Sequence, residues 1–297
     1  MAPTLRSSRQ TATRCRDGSV CNLRRICSAV MLILAVSTPR GVLEPSPDGL
    51  AVRLGAQSRT HRPVVVGSGV VFIGYIVMTA LLIGLGLILT KLLVSGPVGA
   101  WDNSVNRWFV AQRTTTLNSV SSVGSTLGAT LTIIGIAVAA SIVLAIMRHW
   151  RELAFLAAGL TLEASVALTS SIVVNRARPN VPRLDAAPPT GSFPSGHTAA
   201  AIVLYVSLAL VITSHVRSAT VRVLAWLLAI ALPIYVGISR LYRGMHHPTD
   251  EIGSAVIAAG ALLFALLACR TAGAVLHERT AKAERVASDP IETKAVP

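Results

Sequence analysis

The chain has 297 residues, 52% of them hydrophobic and 13% charged, about half the charged share of a soluble domain. That balance points away from a soluble enzyme and toward a polytopic membrane protein. The net charge of +14 raises nucleic acid as a partner, but the basic residues flank apolar runs and form no stripe interleaved with aromatics, which excludes it.

Residues 1–63 are rich in Arg, Ser, Pro and Gly, without helical or strand periodicity, and are expected to be a disordered basic tail. Within them Ser28–Val36 is a short apolar run after Arg24-Arg25, with the outline of a signal peptide; an over-extended start of the reading frame is the alternative. Cys15, Cys21 and Cys27 lie in this tail without a histidine at zinc-ligand spacing, and read as free thiols.

Residues 64–269 carry six apolar runs, each near the length that crosses a bilayer. They are Val64–Thr90, a run within Asn118–Met147, Leu153–Asn175, Thr198–Ser214, Val223–Ser239 and Ile252–Cys269. The expected fold is therefore all-α, a six-transmembrane helix bundle, followed by a C-terminal tail over 270–297. Between spans one and two, Val98, Trp101, Val105, Trp108 and Phe109 recur at helical spacing. This predicts an interfacial helix at headgroup level, with Asp102, Asn106 and Arg113 off its apolar face. Most of the 27 basic residues sit in the two tails and in the even-numbered loops. By the positive-inside tendency both termini are cytoplasmic and the odd-numbered loops extracytoplasmic, in a multi-pass protein of the cell membrane.

Those odd-numbered loops hold the polar motifs. Arg178-Pro179 follows span three, Pro194-Ser195-Gly196-His197 opens span four, and Ser239-Arg240 ends span five; His246 and Asp250 lead into span six. Because spans alternate in direction, all three motifs converge on one membrane face. Their chemistry suits a phosphate monoester. Arg178 and Arg240 offer planar, permanently charged forks for equatorial phosphoryl oxygens. Ser195-Gly196 at a helix start offers free backbone N–H groups, and glycine allows close approach. His246 is a candidate nucleophile whose other ring nitrogen Asp250, four residues on, is placed to accept from. His197 is the candidate general acid and base. Arg176 and Arg243 are weaker candidates for the same phosphoryl oxygens and otherwise read as headgroup anchors, and His247 as structural. Glu163, the one acid inside a span, reads either as functional or as a hydrogen-bonded packing residue.

These residues resemble the type 2 phosphatidic acid phosphatase superfamily, which also contains vanadium haloperoxidases. The pattern is Lys, six residues, Arg-Pro; then Pro-Ser-Gly-His; then Ser-Arg, five residues, His, three residues, Asp. The second and third motifs match in full, and the resemblance covers about Val64–Cys269. The first departs, since the lysine position is Ser171. The resemblance implies His246 as the residue phosphorylated during turnover, Asp250 as its orienter and His197 as acid and base. Arg178, Arg240, Ser195 and Gly196 become phosphate ligands, Ser171 holds the lysine's place, and no metal or other cofactor is required. The substrate expected is a lipid phosphate or diphosphate: phosphatidic acid, phosphatidylglycerol phosphate or a polyprenyl (di)phosphate. A non-catalytic lipid-phosphate binder or transporter is the alternative, on the strength of Ser171. The apolar spans and the missing lysine weigh against a haloperoxidase.

Overall fold

A computed structural model of the chain describes residues 42–47, 49–58 and 62–288, and all regular structure among them is helical. The apolar run Ser28–Val36 and Cys15, Cys21 and Cys27 lie outside the described residues. Within the segment expected to be a tail, Leu50–Gln57 forms a short helix, α1, whose Gly55 packs on Ala274 and Val275 of the last helix. Next come α2 (Pro63–Ile88), running into a π turn at Leu89–Leu93, and α3 (Pro97–Ala111). Two shorter helices follow, α4 (Thr115–Leu127) and α5 (Thr130–Ile146). The rest are α6 (Trp150–Val174), α7 (Gly196–His215), α8 (Ala219–Tyr242) and α9 (Pro248–Ser288).

Five helices are long and apolar enough to cross a membrane: α2 with its π turn, α6, α7, α8 and α9. A sixth crossing exists if α4 and α5, bent by 46°, count as one. The chain is thus a multi-pass membrane protein. Large side chains such as Phe72, Leu131, Ile146 and Ile230 stay exposed along these helices, as lipid-facing residues should. Helix association in lipid relies on close van der Waals fit rather than on hydrophobic exclusion. The small residues Ala199, Ala258 and Ala261 accordingly share a buried cluster with Leu82, Leu162, Val166 and Val203. A β-carbon at Gly74 would stand 2.6 Å from Phe264, so glycine sets how closely α2 and α9 approach.

The second span, placed within Asn118–Met147 from sequence, is not one straight helix: it breaks at Gly128-Ala129. The Gly128 N–H is satisfied by the Ser125 and Thr126 carbonyls, and Ala129 turns extended. Val236 and the His197 carbonyl occupy the space that a side chain at 128 would need, at 2.6 and 3.0 Å. The break lets this backbone lie against the start of α7. The last helix runs on to Ser288, well past the Cys269 at which the sixth span was expected to end.

Candidate active site

The 21 residues between α6 and α7 form a loop over the site end of the bundle. Asn175 closes α6 in the left-handed conformation (φ 44°), turning the chain so that Arg176 points inward. Three backbone bonds then pin the loop: Ser192 N–H to Arg176 O at 2.8 Å, Gly191 N–H to Ser171 O at 3.3 Å and Leu184 N–H to Arg243 O at 3.1 Å. Its one acid, Asp185, clamps α8. Arg243 donates to both its oxygens, at 2.5 and 2.8 Å, and Arg240 donates to Oδ2 at 3.0 Å. Burial alone would raise the Asp185 carboxyl, but the hydrogen bond from Arg243 and the charges of Arg243 and Arg240 hold it below its ordinary range.

Arg178, Gly196, His197, Arg240 and His246 all line one cavity of about 640 Å³, together with Ser171. Arg178 is held by the carbonyls of Met245 at 2.8 Å and of Thr190 and Gly191 at 3.3 Å. Arg240 also donates to Ser125 Oγ at 2.7 Å. A β-carbon on Gly196 would meet nothing within 4 Å, so that face of the helix start is open. A phosphate-sized anion there meets two guanidiniums, two imidazoles and the unpaired N–H groups of a helix N-terminus. From this end the cavity continues between α5 and α6 past Leu160, Ile133, Ile134 and Ala137, an apolar slot.

His246 is buried, with Nδ1 2.7 Å from the Ser192 carbonyl and 3.8 Å from Asp250 Oδ2. Asp250 was expected to accept from this ring; the nearer acceptor is the backbone carbonyl. A carbonyl only accepts, so Nδ1 carries the proton and Nε2 keeps its lone pair. Burial, with Arg240 and Arg178 close by, holds this imidazole below its ordinary pKa against the opposing pull of Asp250.

Asp250 is engaged elsewhere. Its Oδ2 accepts from the His247 N–H at 2.8 Å, and its Oδ1 from Arg176 at 2.5 Å. Arg176 also reaches Asp102 of α3 at 2.7 Å and Thr249 at 2.7 Å. It is 3% exposed, so it is an internal strut rather than the headgroup anchor expected from sequence. Arg243, 8% exposed, is likewise turned inward. His247 is structural: Nδ1 lies 3.2 Å from Asn106 Nδ2, and Nε2 3.2 Å from the Ala177 carbonyl. Ser195 is buried behind the cavity, its hydroxyl 3.2 Å from that of Thr198, so only its backbone belongs to the helix start. Ser171 spends its hydroxyl proton on the Leu168 carbonyl at 2.9 Å and brings no charge.

Three contributors were not identified from sequence: Asp102, Asp185 and the Ser192 carbonyl. Two left a trace. Asp102 and Asn106 are one turn apart, turned inward while Trp101 and Trp108 are exposed, and both are 1% exposed. Asp185 is the sole acid among several arginines in its loop. A backbone carbonyl leaves no signal. As for metal donors, one group of three converges among the described residues, His149, Glu152 and His215. It lies at the start of α6 and the end of α7, away from the cavity that holds the arginines.

Residues 152–273 match the family model of the PAP2 superfamily, which bears out the resemblance read from the motifs. Two solved structures are similar. One is the first transmembrane PAP2 type phosphatidylglycerolphosphate phosphatase from Bacillus subtilis. It is 23% identical, with a TM-score of 0.54, covering 69% of this chain and 94% of that one. At this identity it shows a shared fold. The other is Aquifex aeolicus LpxE, 22% identical, with a TM-score of 0.43, covering 54% of this chain and 92% of that one. No curated protein sequence matches the chain.

Proposed function

We propose that this protein, with its PAP2 superfamily segment at 152–273, is an integral membrane lipid phosphatase that works through a phosphohistidine. The observation that carries the reading is the shared cavity of His197, His246, Arg178 and Arg240, continuous with an apolar slot between α5 and α6. A phosphate head fits the polar end and a lipid chain the slot. The candidate substrates are phosphatidic acid, phosphatidylglycerol phosphate and polyprenyl (di)phosphates.

In the first step His246 Nε2 attacks phosphorus, a P–N bond forms, and the P–O bond to the lipid breaks in line with it. His197 gives its proton to the departing lipid alkoxide. It then takes a proton from water, whose oxygen attacks phosphorus, releasing phosphate and restoring His246. As Nε2 becomes phosphorylated the ring gains positive charge. The Ser192 carbonyl and the negative charge of Asp250 stabilise that charge through Nδ1–H. Arg178, Arg240 and the backbone N–H groups at Ser195-Gly196 hold the equatorial oxygens. Two guanidiniums and a helix start here take the part that divalent ions play in other phosphoryl-transfer sites, so turnover should survive chelation with EDTA.

The charge pattern supports a cell-membrane protein with cytoplasmic termini and the cavity on the extracytoplasmic side. It also suits α3 as an interfacial helix, since Trp101 and Trp108 are exposed while Asp102 and Asn106 turn inward.

Phosphate release from a panel of lipid phosphates by the purified protein is the test. His246→Ala should abolish it, and undiminished turnover in that variant would reject the mechanism. One observation favours the second reading, a non-catalytic binder: the Ser171 hydroxyl is committed to its own helix. Lipid-phosphate binding without turnover in the wild type, with turnover appearing in Ser171→Lys, would establish that alternative.

A further inference from the structure

The mechanism leaves two acids with buried carboxyl groups unused, Glu251 and Glu163, and of these Glu163 lines the cavity. Glu163, in the middle of α6, is 2% exposed, lines the same cavity as His197 and Arg240, and has no hydrogen-bond or ion-pair partner among the described residues. An isolated carboxylate in hydrocarbon is strongly disfavoured, and even the neutral acid loses free energy if its O–H finds no acceptor. A protein that keeps such a group facing a slot keeps it for something that enters the slot.

Its depth indicates what. Helices α6 and α7 run antiparallel, and Gly159 packs on Val203, with 3.3 Å from a built β-carbon to Val203 Cγ1. Glu163 lies four residues from Gly159 toward the site end, and Gly196 lies seven residues from Val203 in the same direction. At 1.5 Å per residue this sets Glu163 about 5 Å, one helical turn, beneath the helix start that faces the phosphate. In an acylated glycerol phosphate, the path from phosphorus through the ester oxygen and the glycerol carbons reaches acyl ester carbonyls at about that depth. A polyprenyl phosphate offers only alkene and methyl groups there.

Building on the lipid phosphatase reading, we propose that Glu163 is a binding subsite for a lipid ester carbonyl, and that the protein selects acyl-ester lipid phosphates over polyprenyl phosphates. The neutral carboxylic acid donates its O–H to the carbonyl oxygen. The neighbouring wall of Leu160, Ile133 and Ala137 holds the chain that follows.

The test compares dioleoyl phosphatidate, its diether analogue (methylene in place of each carbonyl) and undecaprenyl phosphate, in mixed micelles with the full-length protein. The wild type should prefer diester over diether by about tenfold in kcat/KM, the loss expected when one buried donor goes unpaired. Undecaprenyl phosphate should behave like the diether. Glu163→Leu should erase the preference by slowing only the diester. Glu163→Gln, whose amide still donates and whose shape is kept, should retain most of it. Equal use of diester and diether by the wild type, or an unchanged preference in Glu163→Leu, would overturn the subsite. If the wild type hydrolyses none of the three and none of the lipid phosphate panel named above, the phosphatase reading fails on its own. The same comparison made by equilibrium binding of diester and diether phosphatidate then decides the subsite separately, with the same outcomes for and against.

Discussion

Arg240 donates to Asp185 across 3.0 Å, so one of the two guanidiniums lining the cavity already holds a carboxylate at the edge of the space where phosphate would bind. The same carboxylate takes two bonds from Arg243, tying the loop between α6 and α7 to the end of α8. Because these bonds hold the folded-state pKa of Asp185 below its unfolded value, its contribution is present at pH values above the unfolded value. It is lost as pH falls through the folded one. Asp185→Asn should therefore melt below the wild type at pH 7, with the difference closing below about pH 4. Relieved of the negative charge beside it, Arg240 should also bind inorganic phosphate about tenfold more tightly, the lower end of what one charge-assisted hydrogen bond is worth. Thermal melts across pH and phosphate inhibition constants measure the two effects.

The buried state of His246 sets an expectation for the pH profile. Its imidazole titrates below the ordinary histidine value, so the neutral, nucleophilic form persists as pH drops through 6.5. The acid limb of kcat/KM should fall below that point. Asp250 opposes this lowering, so Asp250→Asn should slow the reaction and move the acid limb further down. A limb that moved upward would contradict the role of Asp250 as a stabilising charge near the ring.

How much of this was readable in advance depended on the kind of signal. Apolar runs near the length of a bilayer crossing announce themselves, and α2, α6, α7, α8 and α9 lie where those runs predicted. The α4–α5 break did not show, because Gly128 reads as an ordinary small residue in an apolar run. Only the approach of Val236 and the His197 carbonyl gives it a reason. Arg178, Gly196, His197, Arg240 and His246 were legible because each sits in a short polar motif at a span end, and alternation of spans brings span ends together. What supports them was less so. Asp102 reaches Arg176 from α3, 74 residues away, and Ser192 contributes only a backbone carbonyl.

Arg176 is the most consequential of these supports. It lies between Asp102 and Asp250 with almost no exposure, and Thr249 donates to the same Asp102 at 2.6 Å. Arg176→Met would keep the volume but leave two buried carboxylates without their cation, a loss of about 3–5 kcal/mol. The expected result is a large fall in melting temperature, with activity lost because the fold is lost. Arg176→Lys supplies charge but cannot fork between two carboxylates, and should recover only part of the stability. A headgroup anchor would tolerate either change with little effect on melting.

Gly196 separates the proposed phosphate site from the packing around it. Its side-chain position opens into the cavity and meets no atom within 4 Å, while its backbone begins α7. Alanine is the better helix former and restricts the unfolded chain more, so Gly196→Ala should leave stability unchanged or raise it by up to about 1 kcal/mol. The new methyl group would nevertheless stand where an anion must approach the helix-start N–H groups. A phosphate oxygen held even 1 Å further out loses much of its hydrogen bonding there, and kcat/KM should fall on the order of 100-fold. Stability and activity thus move in opposite directions for a single methyl group. Parallel melting and turnover measurements on Gly196→Ala decide it, and wild-type turnover in that variant would remove the helix start from the phosphate site.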